Sequence, residues 1–269
     1  MPSTFDLARI RQANATGRVP VVFIHGLWLL PTSWERWARV FDEAGFAPIT
    51  PDWPVMPPAG ATAGEVADHF ADLIGGLERR PAVVGHSTGG LLTQVLAGRG
   101  MACAGVAIGP APFRGALPLP ISPPRVPARA SADPAAGRGA VPLTYDQFRH
   151  SFANAVGEEE AEWLYETFAV PAPGAPPLQA SAAAFDPWSG PEVDSTAEDR
   201  GPLLLISGEM DATVPWTVVH ASYRNQVRNA HHLTEIIEMP GRGHSLTVDS
   251  GWREVCGTAL TFIQRFVDP

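Results

Sequence analysis

Six short apolar bursts, each followed by a longer stretch of helical period, constrain this chain more than any other feature of its sequence. The bursts are VPVVFIH (19–25), APIT (47–50), AVVGH (82–86), AGVAIG (104–109), LLLISG (203–208) and TEIIEM (234–239). Each is strand-sized and rich in β-branched or aliphatic residues. Helical period fills the gaps in SWERWARVFDEAG (33–45), GEVADHFADLIGGL (64–77), GGLLTQVLAG (89–98), WTVVHASYRNQV (216–227) and GWREVCGTALTFIQRFV (251–267). Strands that alternate with crossover helices predict an α/β fold, a mostly parallel sheet with helices on both faces. Ser33 reads as the N-cap of the first of these helices and Gly45 as its stop.

The rhythm breaks once. About ninety residues separate the fourth burst from the fifth, far more than one crossover loop needs. The expected division is therefore a core of residues 1–110 and 202–269 with an insertion at 111–201. The insertion begins Pro- and Gly-rich (109–142), which reads as an irregular wrap. It then acquires helical period in TYDQFRHSFANAV (144–156) and EEEAEWLYETFAV (158–170), predicting a small helical cap over the carboxyl edge of the sheet.

Charge and length exclude several functions. A chain of 269 residues can bury one large α/β core. Its net charge of −9, with no basic run, disfavours nucleic acid or an anionic membrane surface as a partner. Asp6, Arg9 and Arg11 interrupt the first seventeen residues, so no signal-peptide core is expected there. No apolar run approaches the roughly 20 residues of a membrane helix. Cys103 and Cys256 fall inside apolar elements and read as buried thiols, so a soluble, cytoplasmic protein is expected.

Residues at strand carboxyl ends meet in a common crevice in sheets of this kind. After the third burst comes Gly85-His86-Ser87-Thr88-Gly89, followed by Gly90. A strand turning at once into a helix holds its pivot in a strained conformation and pushes the side chain into the open, and neighbours without Cβ atoms relieve the crowding. Ser87 is thus a candidate nucleophile; the competing reading is a serine capping a glycine-rich turn. The fifth burst ends before Asp211 and the sixth before His244. A serine needs a base, and the base needs a carboxylate to fix its tautomer. Asp211 also suits a turn before Thr213-Val214-Pro215, whereas Asp186, Asp194 and Asp249 sit at no expected strand tip. Gly241 and Gly243 suit a loop that presents the His244 ring. His86 should point away from the nucleophile in a structural role. The first burst leads into His25-Gly26-Leu27, where the Leu27 and Thr88 amides can form an oxyanion hole and His25 can order the loop.

These four motifs, HG, GHSxGG, SGxxD and GHS, resemble the α/β-hydrolase superfamily, in particular its single-domain serine esterase-like members. The resemblance spans roughly residues 19–267 apart from the insertion. It implies catalysis by Ser87, Asp211 and His244, a helical cap over the site, and neither cofactor nor metal. Two departures are visible: eighteen residues leave little room for the antiparallel hairpin that often opens the fold, and Thr88 is polar where relatives often carry a larger apolar residue.

The expected activity is acyl transfer to water from a small hydrophobic ester, with no integral membrane association. Leu27, Trp28, Phe113, Trp163 and Trp188 are candidate substrate contacts, while Trp34 and Trp37, three residues apart, belong to the core. Lactone or thioester hydrolysis, biosynthetic acyl transfer or cyclisation on the same residues, and a receptor that binds without turnover remain open alternatives.

Overall fold

The computed structural model describes residues 4–54, 62–113, 140–141, 143–169, 172–173 and 192–269. Its strands are β1 (Pro20–Ile24), β2 (Ala47–Ile49), β3 (Ala82–His86), β4 (Ala104–Ile108), β5 (Ala140–Val141), β6 (Ala172–Pro173), β7 (Leu203–Gly208) and β8 (Thr234–Met239). Six of them form one sheet in the order β2-β1-β3-β4-β7-β8, every neighbouring pair parallel. All six expected bursts are strands, each within two residues of its expected bounds. The chain leaves β1 for β2 on one side and then returns to place β3 on the other. A crevice therefore opens between the carboxyl ends of β1 and β3.

The two-residue period of a strand decides which side chain meets which helix. Val21 and Phe23 face α2 (Glu35–Glu43) and α8 (Trp252–Gln264), while Val22 and Ile24 face α3 (Ala63–Gly75) and α4 (Thr88–Gly98). Leu204 and Ile206 likewise join the α8 face, and Leu203 and Leu205 pack against α7 (Trp216–Gln226). Trp34 and Trp37 are buried beside Phe23 and Phe41, with their own rings edge to face at 5.0 Å. Such a contact adds about 0.5–1.5 kcal/mol beyond the area it buries.

Two features of the helices differ from expectation. Ser33 does not cap α2: Pro31 starts a 3₁₀ turn (Pro31–Trp34), Ser33 Oγ donates back to the Leu30 carbonyl, and α2 begins only at Glu35. Its far end does stop at Gly45, whose φ of 93° is one that a side chain would oppose. A helix absent from the sequence reading, α1 (Thr4–Thr16), precedes β1, and Ile10 and Ala13 dock it against Ala47 and Ile49 of β2. Among the described residues no strand precedes β1.

In the insertion, α5 (Tyr145–Ser151) and α6 (Glu158–Phe168) form where helical period predicted them. Thr144 and Gln147 cap α5 reciprocally, and three glutamates crowd the first turn of α6, where the helix dipole favours them. Phe148, Phe152, Ala153, Ala161 and Leu164 pack on Leu29 and Val248, which follow β1 and β8. The short β5–β6 pairing was not expected. Most of the Pro-rich part and Trp188 lie outside the described residues.

The chain re-enters the sheet through a buried anchor. Arg200 is fully buried, and its guanidinium donates to the carbonyls of Gly201, Gln226, His232 and Leu233 and to the side chains of Gln226 and Thr234. Burial pulls its pKa down to about 10.

Candidate active site

Ser87 stands between β3 and α4 with φ 56° and ψ −118°, a backbone conformation that few residues other than glycine adopt. The sheet enforces it: the Ser87 amide donates to Ile108 of β4, and its carbonyl receives the amides of Leu91 and Ala111. The flanking glycines are required by close approach. A Cβ on Gly85 would lie 2.0 Å from the Gly89 carbonyl oxygen, and one on Gly89 would lie 2.1 Å from that of Ile24.

The sequence places Ser87, Asp211 and His244 far apart, and the strand ends bring them together. The Ser87 Oγ is 3.0 Å from His244 Nε2, and Asp211 Oδ2 is 2.7 Å from His244 Nδ1. Asp211 and His244 are both 4% exposed, so little water competes for these bonds. A buried carboxylate facing Nδ1 fixes the proton there, leaving the Nε2 lone pair to accept from the serine hydroxyl. The other carboxylate oxygen, Oδ1, accepts the amides of Thr213 and Val214 at 2.8 and 2.7 Å. The turn reading and the acid reading of Asp211 therefore describe two oxygens of one group.

Around this line, other side chains fix the loops. His86 is buried and donates from Nε2 to the His244 carbonyl at 2.9 Å, its ring 4.7 Å from the His244 ring. Burial pushes the His86 imidazole well down from its ordinary value, so it stays neutral beside the His244 ring. Ser245 donates to Asp249, which also accepts the Gly251 amide, so Asp249 shapes the His244 loop without touching the ring's nitrogens. His25 donates from Nδ1 to the Gly26 carbonyl at 2.8 Å and approaches Asp52, an interaction that lowers the Asp52 carboxyl below its ordinary range. Trp53 donates its indole proton to the His25 carbonyl.

Thr88 is the first residue of α4, so its amide has no acceptor within the helix. The Gly26–Leu27 turn lies against the serine, since a Cβ on Gly26 would be 3.2 Å from Ser87 Cβ. Trp28 is half-buried with φ 44°, and the Leu29 amide turns back to the Leu27 carbonyl, which holds that oxygen in a tight turn. Phe113 is 5% exposed and packs with the α3 and α4 core. Trp163 is half exposed and meets Phe168 edge to face.

One neighbour of the site escaped the sequence reading. Phe152, from the insertion, meets the His244 ring edge-on at 5.8 Å. Its spacing four residues after Phe148 marks a helix face but not which loop that face meets. Among the described residues no group of three His, Cys, Asp or Glu side chains converges in a way that could hold a metal ion.

A family profile described as the alpha/beta hydrolase family matches residues 21–258. No curated protein matches the sequence. Among solved structures, the monoacylglycerol lipase of Paleococcus ferrophilus is similar over 92% of this chain and 95% of its own, at 18% identity and a TM-score of 0.65. A structure from a study of carboxylesterases of Nitrososphaera gargenis is similar over 94% and 93%, at 15% identity and a TM-score of 0.67. The bromoperoxidase of Bacillus anthracis is similar over 92% of both chains, at 20% identity and the same TM-score. At these identities the likeness is one of fold.

Proposed function

Since this chain belongs to the alpha/beta hydrolase family, we propose that it is a serine hydrolase cleaving carboxylic esters of hydrophobic small molecules through an acyl-enzyme. The observation that carries this reading is the unbroken line from Ser87 Oγ through His244 to Asp211, at 3.0 and 2.7 Å, with the serine at a strained strand-to-helix turn.

The mechanism follows from which atoms hold protons. Ser87 Oγ attacks the ester carbonyl while His244 Nε2 takes its proton, and Asp211 Oδ2 stabilises the imidazolium that forms. The amides of Leu27 and Thr88 receive the oxyanion, each donor being worth about 3 kcal/mol at the transition state. His244 returns the proton to the departing alcohol, and water then repeats the sequence in reverse to release the acid. Ser87, Asp211 and His244 are the catalytic residues of this proposal.

Half-buried Leu27 and Trp28 follow Gly26, whose backbone lies against the serine, and support a hydrophobic substrate. Phe113, Trp163 and Trp188 complete the proposed contacts. Residues 111–201 would form the cap on a core of 1–110 and 202–269. The thiols of Cys103 and Cys256 are free, Cys256 buried as expected and Cys103 only partly so, just before β4; burial raises both, that of Cys256 to about 12, and two unpaired thiols support a cytoplasmic location. Among the described residues no helix is long and apolar enough to cross a membrane.

The test is to treat wild type and Ser87→Ala with a fluorophosphonate and weigh the intact proteins. One adduct on wild type alone, with turnover of p-nitrophenyl esters lost in the variant, is the expected result. A folded wild type that gains no mass would overturn the reading.

A further inference from the structure

The α5–α6 hairpin is bound to the two loops that carry the acid and the base. Asn154 Nδ2 donates to the Met210 carbonyl at 2.7 Å, and Thr213 Oγ1 donates to the Ser151 carbonyl, so the hairpin is fastened on both sides of Asp211. Glu160 accepts the amide and the hydroxyl of Ser250, the latter at 3.1 Å, six residues past His244. Between these ties Phe152 reaches the site. Its ring lies 5.8 Å from that of His244 at an interplanar angle of 82°, and 6.1 Å from that of His86 at 77°. His86 is itself 4.7 Å from His244, so the three rings are in mutual contact. Phe148 backs Phe152 at 4.8 Å.

We propose that Phe152 is a positioning residue for His244, so that the insertion takes part in holding the base as well as covering the site. The inference rests on the acyl-transfer reading given above. Its physical reason lies in the moment of reaction. At rest, two hydrogen bonds fix the imidazole; once Nε2 has taken the serine proton, its N–H must be re-aimed from the serine oxygen to the departing alcohol, and only the bond to Asp211 is held throughout. The ring can then pivot about that contact unless something solid lies beside it. His86 blocks that pivot on one side, and Phe152, in contact with His86, extends the barrier from a segment far away in the sequence. Displacing a reacting group by about 1 Å costs on the order of 100-fold in rate.

The experiment compares wild type, Phe152→Ala and Leu164→Ala. Leu164 is fully buried in the same small cluster but belongs to the next helix, so its truncation loosens the hairpin core while leaving Phe152 in place. Fluorophosphonate inactivation rates and p-nitrophenyl acetate kinetics are measured on each, with circular dichroism confirming the fold. Phe152→Ala should slow inactivation and kcat by about 10- to 100-fold with KM within about threefold of wild type, and Leu164→Ala should stay within about threefold in both. If Phe152→Ala fails to fold, Phe152→Leu, which retains bulk without the ring, should show a kcat deficit of at least fivefold.

A folded Phe152→Ala reacting at the wild-type rate overturns the inference. So does an equal slowing by Leu164→Ala, which would mean general loosening, or a wild-type rate in Phe152→Leu where the alanine variant does not fold. A wild type that is itself unreactive overturns the acyl-transfer reading first, and the role of Phe152 with it.

Discussion

Asp211→Asn should disable the base through its tautomer while leaving the fold intact. In the wild type, Oδ1 accepts two backbone amides, those of Thr213 and Val214, and Oδ2 accepts the Nδ1 proton of His244. Asparagine has one oxygen and one NH₂ group to share between these places. Turning the NH₂ toward two amide donors would strand both in a buried turn, at a cost of about 1–3 kcal/mol for each unpaired group. The oxygen therefore stays on the amides and the NH₂ faces His244. A proton on Nδ1 would then meet another donor, so the ring shifts its proton to Nε2. That nitrogen now presents a hydrogen to Ser87 Oγ and cannot accept one. A wrong-tautomer base of this kind loses about 10⁴-fold in turnover, equivalent to about 5.5 kcal/mol of transition-state stabilisation.

The assay is kcat/KM on a short-chain p-nitrophenyl ester, beside a thermal melt. The melting temperature should change by no more than about 3 °C, because every backbone bond to residue 211 survives. Activity within tenfold of wild type would refute the reasoning, since it would mean that another group orients His244 or that the imidazole never serves as the base.

Other consequences can be read from buried polar groups. Arg200→Met leaves the His232 carbonyl without its guanidinium donor, while those of Gln226 and Leu233 keep the amides of Asn229 and Leu203, and should lower stability by about 1–3 kcal/mol in urea titration with activity per folded molecule retained; an unchanged stability would show that the guanidinium holds nothing that the backbone does not already hold. Asp249 is held above its ordinary 3.8 by burial, so it binds its proton more tightly folded than unfolded. Its contribution to stability is full below 3.8 and is lost as pH rises through the folded value. Asp249→Asn should flatten that part of the stability–pH curve measured by urea melts, and an unchanged slope would contradict the assignment.

The sheet was legible because each strand is a short apolar run ended by a change of composition. The line of Ser87, Asp211 and His244 was legible for a related reason: in a parallel sheet every strand tip delivers its next residues to one edge, so sequence position stands in for spatial position. That logic fails where contacts do not follow from period. In α1, a buried Asp6 takes a place on the docking face beside Ile10 and Ala13, which leaves too weak an apolar stripe to announce a helix. Ser33 looks like a cap, but Pro31 two residues earlier sets a tighter turn first. Phe152 carries helical period with no trace of its partner, because which loop an inserted helix meets is decided by the return path of the whole segment. Arg200, between Asp199 and Gly201, reads as surface charge until its carbonyl partners are assembled around it.

The Arg200 anchor also separates two duties that fall on one stretch of chain. The insertion begins at the carboxyl end of β4 and must deliver the chain to the amino end of β7, its hydrogen-bonded neighbour, where Gly105 pairs with Leu203. Without a fixed point on that return, any change in the length or shape of the hairpin would pull on the register of β7 and shift Asp211 at its tip. The guanidinium, fastened to the end of α7 and the start of β8, absorbs that pull three residues before the strand begins. Changes in the length of the chain between the hairpin and residue 200 can therefore be taken up before β7 begins, while the hairpin itself stays tied to Met210, Thr213 and Ser250.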